Sequence, residues 1–567
     1  MRSIKNEKGM ALIVSLFVVV VLLGLGTVFA LRTVNEANMS RRERQLAKAF
    51  YISEAGTETG LDAVDNLINN YMFNTVNGMN PSVLINTAQN YVNGDDGIGF
   101  LMQTVQYNGT QVLTLNESQA EYTGASVSYG EGSFSYKIVI TEKNDPNTVN
   151  PDVWDFPFNY RVEATADSSG VSHTAKLHGD FTVRVQRDNF AKYALFTNTQ
   201  TMPSGTNVWF TNKTNFAGPI HTNGTYNFAL NPSGTFEGLV AQHEQTARFY
   251  NNGWPVLLDA EANGTTDVPT FNAGFDRGES TITLSSAIVQ QDMVDQAQGG
   301  QSLSGTGIFV PSSGSALTGG IYVNGDSTVN LSVDADNNAV YTIVQGADTK
   351  IVTVDKTNNQ TTVNIPSVGT TTYNGIPNGV DDVGTIIYVE GSVTSLSGTV
   401  QEGTQMTLAT SSDVVITNHL RYASYTPAVG TPGIPGYVPP HAQGADNLLG
   451  IVSWNGNVRI GTTAPNDVDV HGTILASSGI FQVDNYNDYG PGPRGTATLL
   501  GGVITNNYGA FGLFNGTTGQ QLTGYGRNFV YDERMRMGSA PPYFPSLNTF
   551  IAFTNDIMDK IVWVEGD

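Results

Sequence analysis

Hydrophobic and polar positions divide the chain into three regimes. From 10 to 31 the sequence reads MALIVSLFVVVVLLGLGTVFAL, without one charged residue. A helix of that length rises roughly 33 Å, about one bilayer core. Leu46, Ala49, Phe50, Ser53, Thr57, Leu61, Val64 and Ile68 then keep helical spacing. They predict that the apolar helix continues as an amphipathic one to about Tyr71. Beyond Gly130 the period changes to two. Residues 134–142 (FSYKIVITE) alternate, and 158–185 read as a hairpin turning at 167–170 (DSSG).

From there on, short apolar runs are broken by recurring turn pairs. IHTNGTYNF, IYVNGDSTVNL, IYVEGSVTSL and IVSWNGNVRI share one cadence, and Gly456, Gly479 and Gly502 stand about two dozen residues apart. That interval is close to one coil of a parallel β-helix, in which glycine takes a corner too tight for a side chain. A β-helix-like core over 205–515 is expected, with a β-sandwich as the alternative. Two insertions interrupt it, a hairpin at 350–365 and a Pro/Gly loop at 425–444. The fold class expected is α+β and mostly β: a long N-terminal helix, a small antiparallel sheet and a large β-rich domain. The domains expected are a leader (1–9), the helix (10–75), a β head (76–187) and the large β domain (188–567).

Composition narrows this picture. Only 14 % of the 567 residues are charged, and no cysteine is present. Disulfides and thiolate metal sites are thereby excluded. The net charge of −23 argues against general nucleic-acid binding, which draws its affinity from neutralising phosphates. A basic cluster of Arg32, Arg41, Arg42, Arg44 and Lys48 follows the apolar run and reads as its flank. Arg2, Lys5 and Lys8 precede the run and orient the N-terminus toward the cytoplasm.

Three fates compete for the apolar segment. It is a signal peptide cut near Ala30, a permanent anchor, or a segment trimmed at Gly9 and retained. The short basic leader ending in Gly9, followed at once by Met10-Ala11-Leu12-Ile13-Val14, resembles the type IV prepilin signal. The stretch 49–58 (AFYISEAGTE), with Ala49, Phe50, Tyr51, Glu54, Ala55 and Gly56, resembles the element shared by minor pilins of the PilX type. This resemblance covers roughly the first 75 residues. It implies cleavage between Gly9 and Met10 by a prepilin peptidase, with methylation of the new amine. It also implies that Leu12, Val14, Leu16 and Leu22 pack first in the membrane and then in a filament spine. Major pilins carry Glu at the fifth mature position, where it neutralises a neighbour's terminal amine; here that position is Val14. Its absence implies a place at or near a filament tip, a trait shared with the K-type pseudopilins of type II secretion systems. The segment 524–545 (GYGRNFVYDERMRMGSAPPYFP) looks like part of an uncharacterised β domain fused to PilX-type N-termini.

Chemistry is sparse. No nucleophile elbow, zinc-ligand pair or phosphate loop occurs. His173, His178, His221 and His471 fall on strand-like segments without partner motifs. Asp381 and Asp382 are adjacent and would point to opposite faces of a strand, inside a stretch that reads as a turn. Asp334, Asp336 and Asn338 match the start of a calcium loop, but position six is Ala339 and position twelve is Gln345. A hairpin turn is the better reading, as it is for 93–97 (NGDDG), and no cofactor is expected.

The expectation is a non-enzymatic minor pilin-like subunit. It waits in the inner membrane, then carries a β-rich head to the cell surface. Its partners would be other pilins, the prepilin peptidase and a surface or cell ligand. The alternatives are a secretion pseudopilin tip and a membrane-anchored β-helix enzyme acting on polysaccharide.

Overall fold

The computed structural model describes residues 7–150, 153–211, 214–229, 234–251, 254–258, 268–284, 287–430, 436–515, 520–554 and 562–565. The chain forms two compact units: Met1–Gln186 with Phe550–Asp567, and Arg187–Thr549. The second unit is therefore an insertion in the first. The span 188–567 is not one domain, because its last strands return to the sheet of the first unit.

The first unit is built on one helix, Glu7–Asn66, here called α1. A π-helical turn, Leu67–Met72, interrupts the α-helical pattern before Phe73–Gly78 resumes it. The extra residue per turn rotates the apolar face, and Leu67, Ile68, Met72 and Val76 all stay buried. The segment 76–187, expected as a β head, begins with two more helices, Pro81–Asn93 and Gly97–Thr104. Asn80 and Asp96 cap them, each accepting a bond from a first-turn N–H. The sheet follows. Its longest strands, Val153–Ser168 and Val171–Asn189, pair from Val153↔Gln186 to Ser168↔Val171. The turn falls where the sequence places it, with Ser169 and Gly170 at positive φ. Gly132–Glu142 and Gln119–Thr123 extend the sheet on one side, and Ser546–Thr554 and Val562–Glu565 pair with Val171–Asn189.

The second unit is a parallel β-solenoid, which sets the sandwich alternative aside. Leu195–Thr199, Ile220–Thr222, Val240–Gln242 and Phe275–Arg277 stack in parallel register. Beginning at Ile321–Asn324, a second series runs through Thr385–Glu390, Gln405–Thr410, Leu448–Ser453 and Thr473–Ala476 to Val503–Asn507. The last of these pairs in parallel with Leu195–Thr199, so the final coil lies against the first. The chain thus starts mid-stack, winds to one end, returns past the helix Ala287–Gln298, and winds up to its own starting point. Phenylalanines fill the coils in ladders: Phe228 stacks on Phe249 at 5.3 Å and Phe216 on Phe236 at 5.9 Å.

Two sequence expectations change in detail. The hairpin at 350–365 is the middle of a five-strand antiparallel meander running from Ser327–Val333 to Gly369–Asn374. Gly456 and Gly479 do share a corner, since a Cβ on Gly479 would collide with the Gly456 carbonyl. Gly502 lies elsewhere, against the Tyr193 carbonyl, and the neighbouring column is Gly472 under Gly501, at φ 145° and 151°.

Candidate membrane and assembly segment

Helix α1 has two halves with opposite surroundings. Met10, Leu12, Val14, Leu16 and Leu22 are all exposed, Leu12 at 71 % and Val14 at 56 %. Polar groups in this half are satisfied within the helix: Ser15 Oγ donates to the Leu12 carbonyl at 2.9 Å and Thr27 Oγ1 to the Leu23 carbonyl at 2.6 Å. Such back-bonding lets hydroxyls sit in an apolar medium without an unpaired donor. Gly9 is helical, with open space around it. Residues 1–6 of the expected leader lie outside the described residues.

The second half packs beneath the sheet, and the 49–58 element provides the contact. Ala49 and Thr57 are fully buried, and Ser53 is buried with them. Ser53 Oγ lies 2.8 Å from His173 Nδ1, and the Phe50 ring meets the His173 ring edge-on at 5.1 Å. Tyr51 points away, 68 % exposed. Glu54 and Ala55 are half-buried. At Gly56 an added Cβ would lie 2.8 Å from Ala164 Cβ and 3.0 Å from the Phe134 ring; one at Gly60 would collide with Val162. These two glycines set how closely the helix approaches the sheet. Gly56 was legible from the resembled element. Gly60 was not, although it lies four residues on, on the same helix face. At the edge of this contact Lys48 pairs with Glu131 and holds that carboxyl below its usual pKa.

The other candidates are accounted for by local structure. Asp334 Oδ1 accepts the Asp336 and Asn338 N–H groups at 2.9 and 2.8 Å, and Asp334 Oδ2 accepts from Asn338 Nδ2 at 3.1 Å. The Asn338 backbone bond leads in lowering this carboxyl's pKa. These bonds close the turn between Ser327–Val333 and Ala339–Gln345. Among the described residues no group of three His, Asp or Glu side chains has metal-binding geometry. In 93–97, Asp96 Oδ1 accepts the Gly99 N–H at 2.6 Å. Asp381 accepts from Gln296 Nε2 at 2.7 Å, and Asp382 bonds Asn378. The turn reading of both stretches therefore holds. His221 stacks on Phe196 at 5.5 Å. His471 is fully buried, its Nδ1 accepting the Tyr422 N–H at 3.1 Å; burial leads, with Arg421 next, in depressing its pKa to about 3.

These features define a two-unit, mostly β protein with, among the described residues, one helix, near the N-terminus, long and apolar enough to span a membrane. A family described as a domain of unknown function, DUF4900, matches residues 155–242. The match runs from the long hairpin of the first unit into the opening coils of the second. Comparison with curated proteins and with solved structures gives no match.

Proposed function

We propose that this protein is a minor pilin-like subunit of a type IV filament, placed at or near its tip, where it displays the inserted solenoid. One observation carries the reading: α1 leaves 10–31 wholly exposed and uncharged, while from Ala49 onward it buries one face under an antiparallel sheet. A helix so divided suits a subunit that is held in a bilayer and later drawn into a bundle of like helices. The element at 49–58 adds support, because Ala49, Ser53, Gly56 and Thr57 within it seat the helix against the sheet. Val14 supports the tip position: without a carboxylate there, the subunit offers no partner to a buried terminal amine.

The test is mass spectrometry of the N-terminal peptide from membrane-extracted protein. A chain starting at Met10 with a methylated amine is expected. A start at Leu31, or an intact Met1, would overturn the reading. The large head and Val14 equally suit a K-type pseudopilin. A deletion strain that loses filaments or twitching supports the pilus; a secretion defect with normal motility assigns the protein to secretion.

A further inference from the structure

The five-strand meander of the second unit is an excess in an otherwise economical solenoid. Leu195 and its stacked neighbour Ile220 are 25 residues apart, and Ile451 and Ile474 are 23 apart. Between Ile321 and Ile387 the interval is 66. The inner side of this excursion has a clear role: Tyr341, Ile343, Val352, Val354 and Val363 join the hydrophobic core. Its outer side is a separate matter.

Strand register aligns the outward side chains in rows. Thr372, Thr362, Thr353, Val340 and Ser332 form one row. Thr370, Asn364, Ile351, Thr342, Asn330 and Ser397 form the next. Thr349, Val344, Thr328 and Ser395 form the third. None of these residues is charged, on a chain whose net charge is −23. Charges in this segment gather in the turns and at the strand ends, at Asp334, Asp336, Asp348, Asp355 and Lys356. Lys350 lies on the opposite side, bonded to the Ile308 carbonyl. The face is therefore a lattice of hydroxyls and amides with methyl groups between them, spaced about 4.8 Å across strands and roughly 6.7 Å along them. Neighbours are within hydrogen-bond reach: Asn330 Nδ2 donates to Ser397 Oγ at 3.0 Å, and Ser395 Oγ lies 2.6 Å from Thr417 Oγ1.

We propose that this face binds a neutral, hydroxyl-bearing polysaccharide. The argument is complementarity of charge and of hydrogen-bonding type. A charge-free face on an acidic protein is a surface where a neutral partner desolvates no ion. Every Thr, Ser and Asn on it both donates and accepts, as does every sugar hydroxyl. The methyl groups of Thr, Val340, Val344 and Ile351 suit the C–H faces of pyranose rings. An anionic glycan would gain no cation here and would face the acidic rim. This names the ligand class of the displayed head, and it rests on the filament reading only for where the face is presented.

The test uses the full-length chain in detergent micelles. It is mixed with microcrystalline cellulose or chitin and, separately, with alginate beads, then pelleted. Depletion by a neutral glycan and not by alginate is expected. Thr353→Glu and Thr342→Lys should each weaken retention about tenfold, at an unchanged melting temperature, while Thr123→Lys on the first unit leaves it unchanged. If either variant fails to fold, Thr362→Glu replaces it. No retention on cellulose or chitin, equal retention on alginate, or retention indifferent to the substitutions would overturn the proposal. Adsorption to ice without glycan retention would overturn it too. The assay needs neither processing nor a filament, so its failure and that of the N-terminal mapping are separately visible.

Discussion

Two glycines and one histidine carry more of this structure than their size suggests. Gly56 and Gly60 bring α1 into contact with Ala164 and Val162, where a larger side chain must displace the sheet. Gly56→Val or Gly60→Val is expected to destabilise the first unit by about 1–3 kcal/mol, the usual cost of overpacking. Chemical denaturation followed by the fluorescence of Trp154, buried in that unit, measures it. His471 is buried neutral with its pKa depressed to about 3, whereas in the unfolded chain it titrates near 6.5. Between those values the unfolded state binds the extra proton, so stability is full above pH 6.5 and falls as the pH drops toward 3. By pH 5 the loss is about 2 kcal/mol. His471→Asn keeps an acceptor for the Tyr422 N–H and should flatten the slope between pH 7 and 5, read from denaturation midpoints at the two pH values. The histidine's strand placement was legible in the sequence. Its burial was not, because it depends on Tyr422 and Tyr425, whose rings lie 5.4 and 4.5 Å away.

Among the elements, α1 was the most legible, because an uncharged run and a 3.6-residue period are local signals. The π-turn at Leu67–Met72 and the short helices after it were not: LINNYM and the Asn-rich segments that follow carry weak propensity, and burial decides their conformation. The solenoid strands were legible as strands through their turn pairs, but their order was not. Pairing of Leu195 with Val503 leaves no trace within any short window. The seam has its own polar device. Asn198 Nδ2 donates to Asn506 Oδ1 at 3.0 Å, and Asn223 Nδ2 donates to Asn198 Oδ1 at 2.9 Å. Such a ladder adds side-chain bonds along the stack to those of the backbone. Asn198→Ala breaks both rungs and is expected to cost about 1–3 kcal/mol, measurable as a lowered denaturation midpoint of the second unit.

For the whole molecule, the winding that brings the last coil against the first has a mechanical signature. In an open solenoid, stability is a sum over neighbours, and terminal coils fray first. Here Leu195–Thr199, the first strand, is flanked on both sides by other coils. The two ends of the second unit are also tied directly, with the Phe190 N–H donating to the Pro545 carbonyl at 3.3 Å. A chain truncated after residue 500 would expose one side of its first coil as well as losing its last. It should therefore lose the calorimetric transition of the second unit rather than shift it slightly.

The nesting of one unit inside the other also orders events during synthesis. The strand Ser546–Thr554 pairs with Val171–Asn189 in the sheet that roofs α1, yet more than three hundred residues are made between them. A ribosome that stops early, or a protease that clips the tail, leaves that sheet short of its closing strand. The first unit's sheet is thus finished only after the whole second unit has been made.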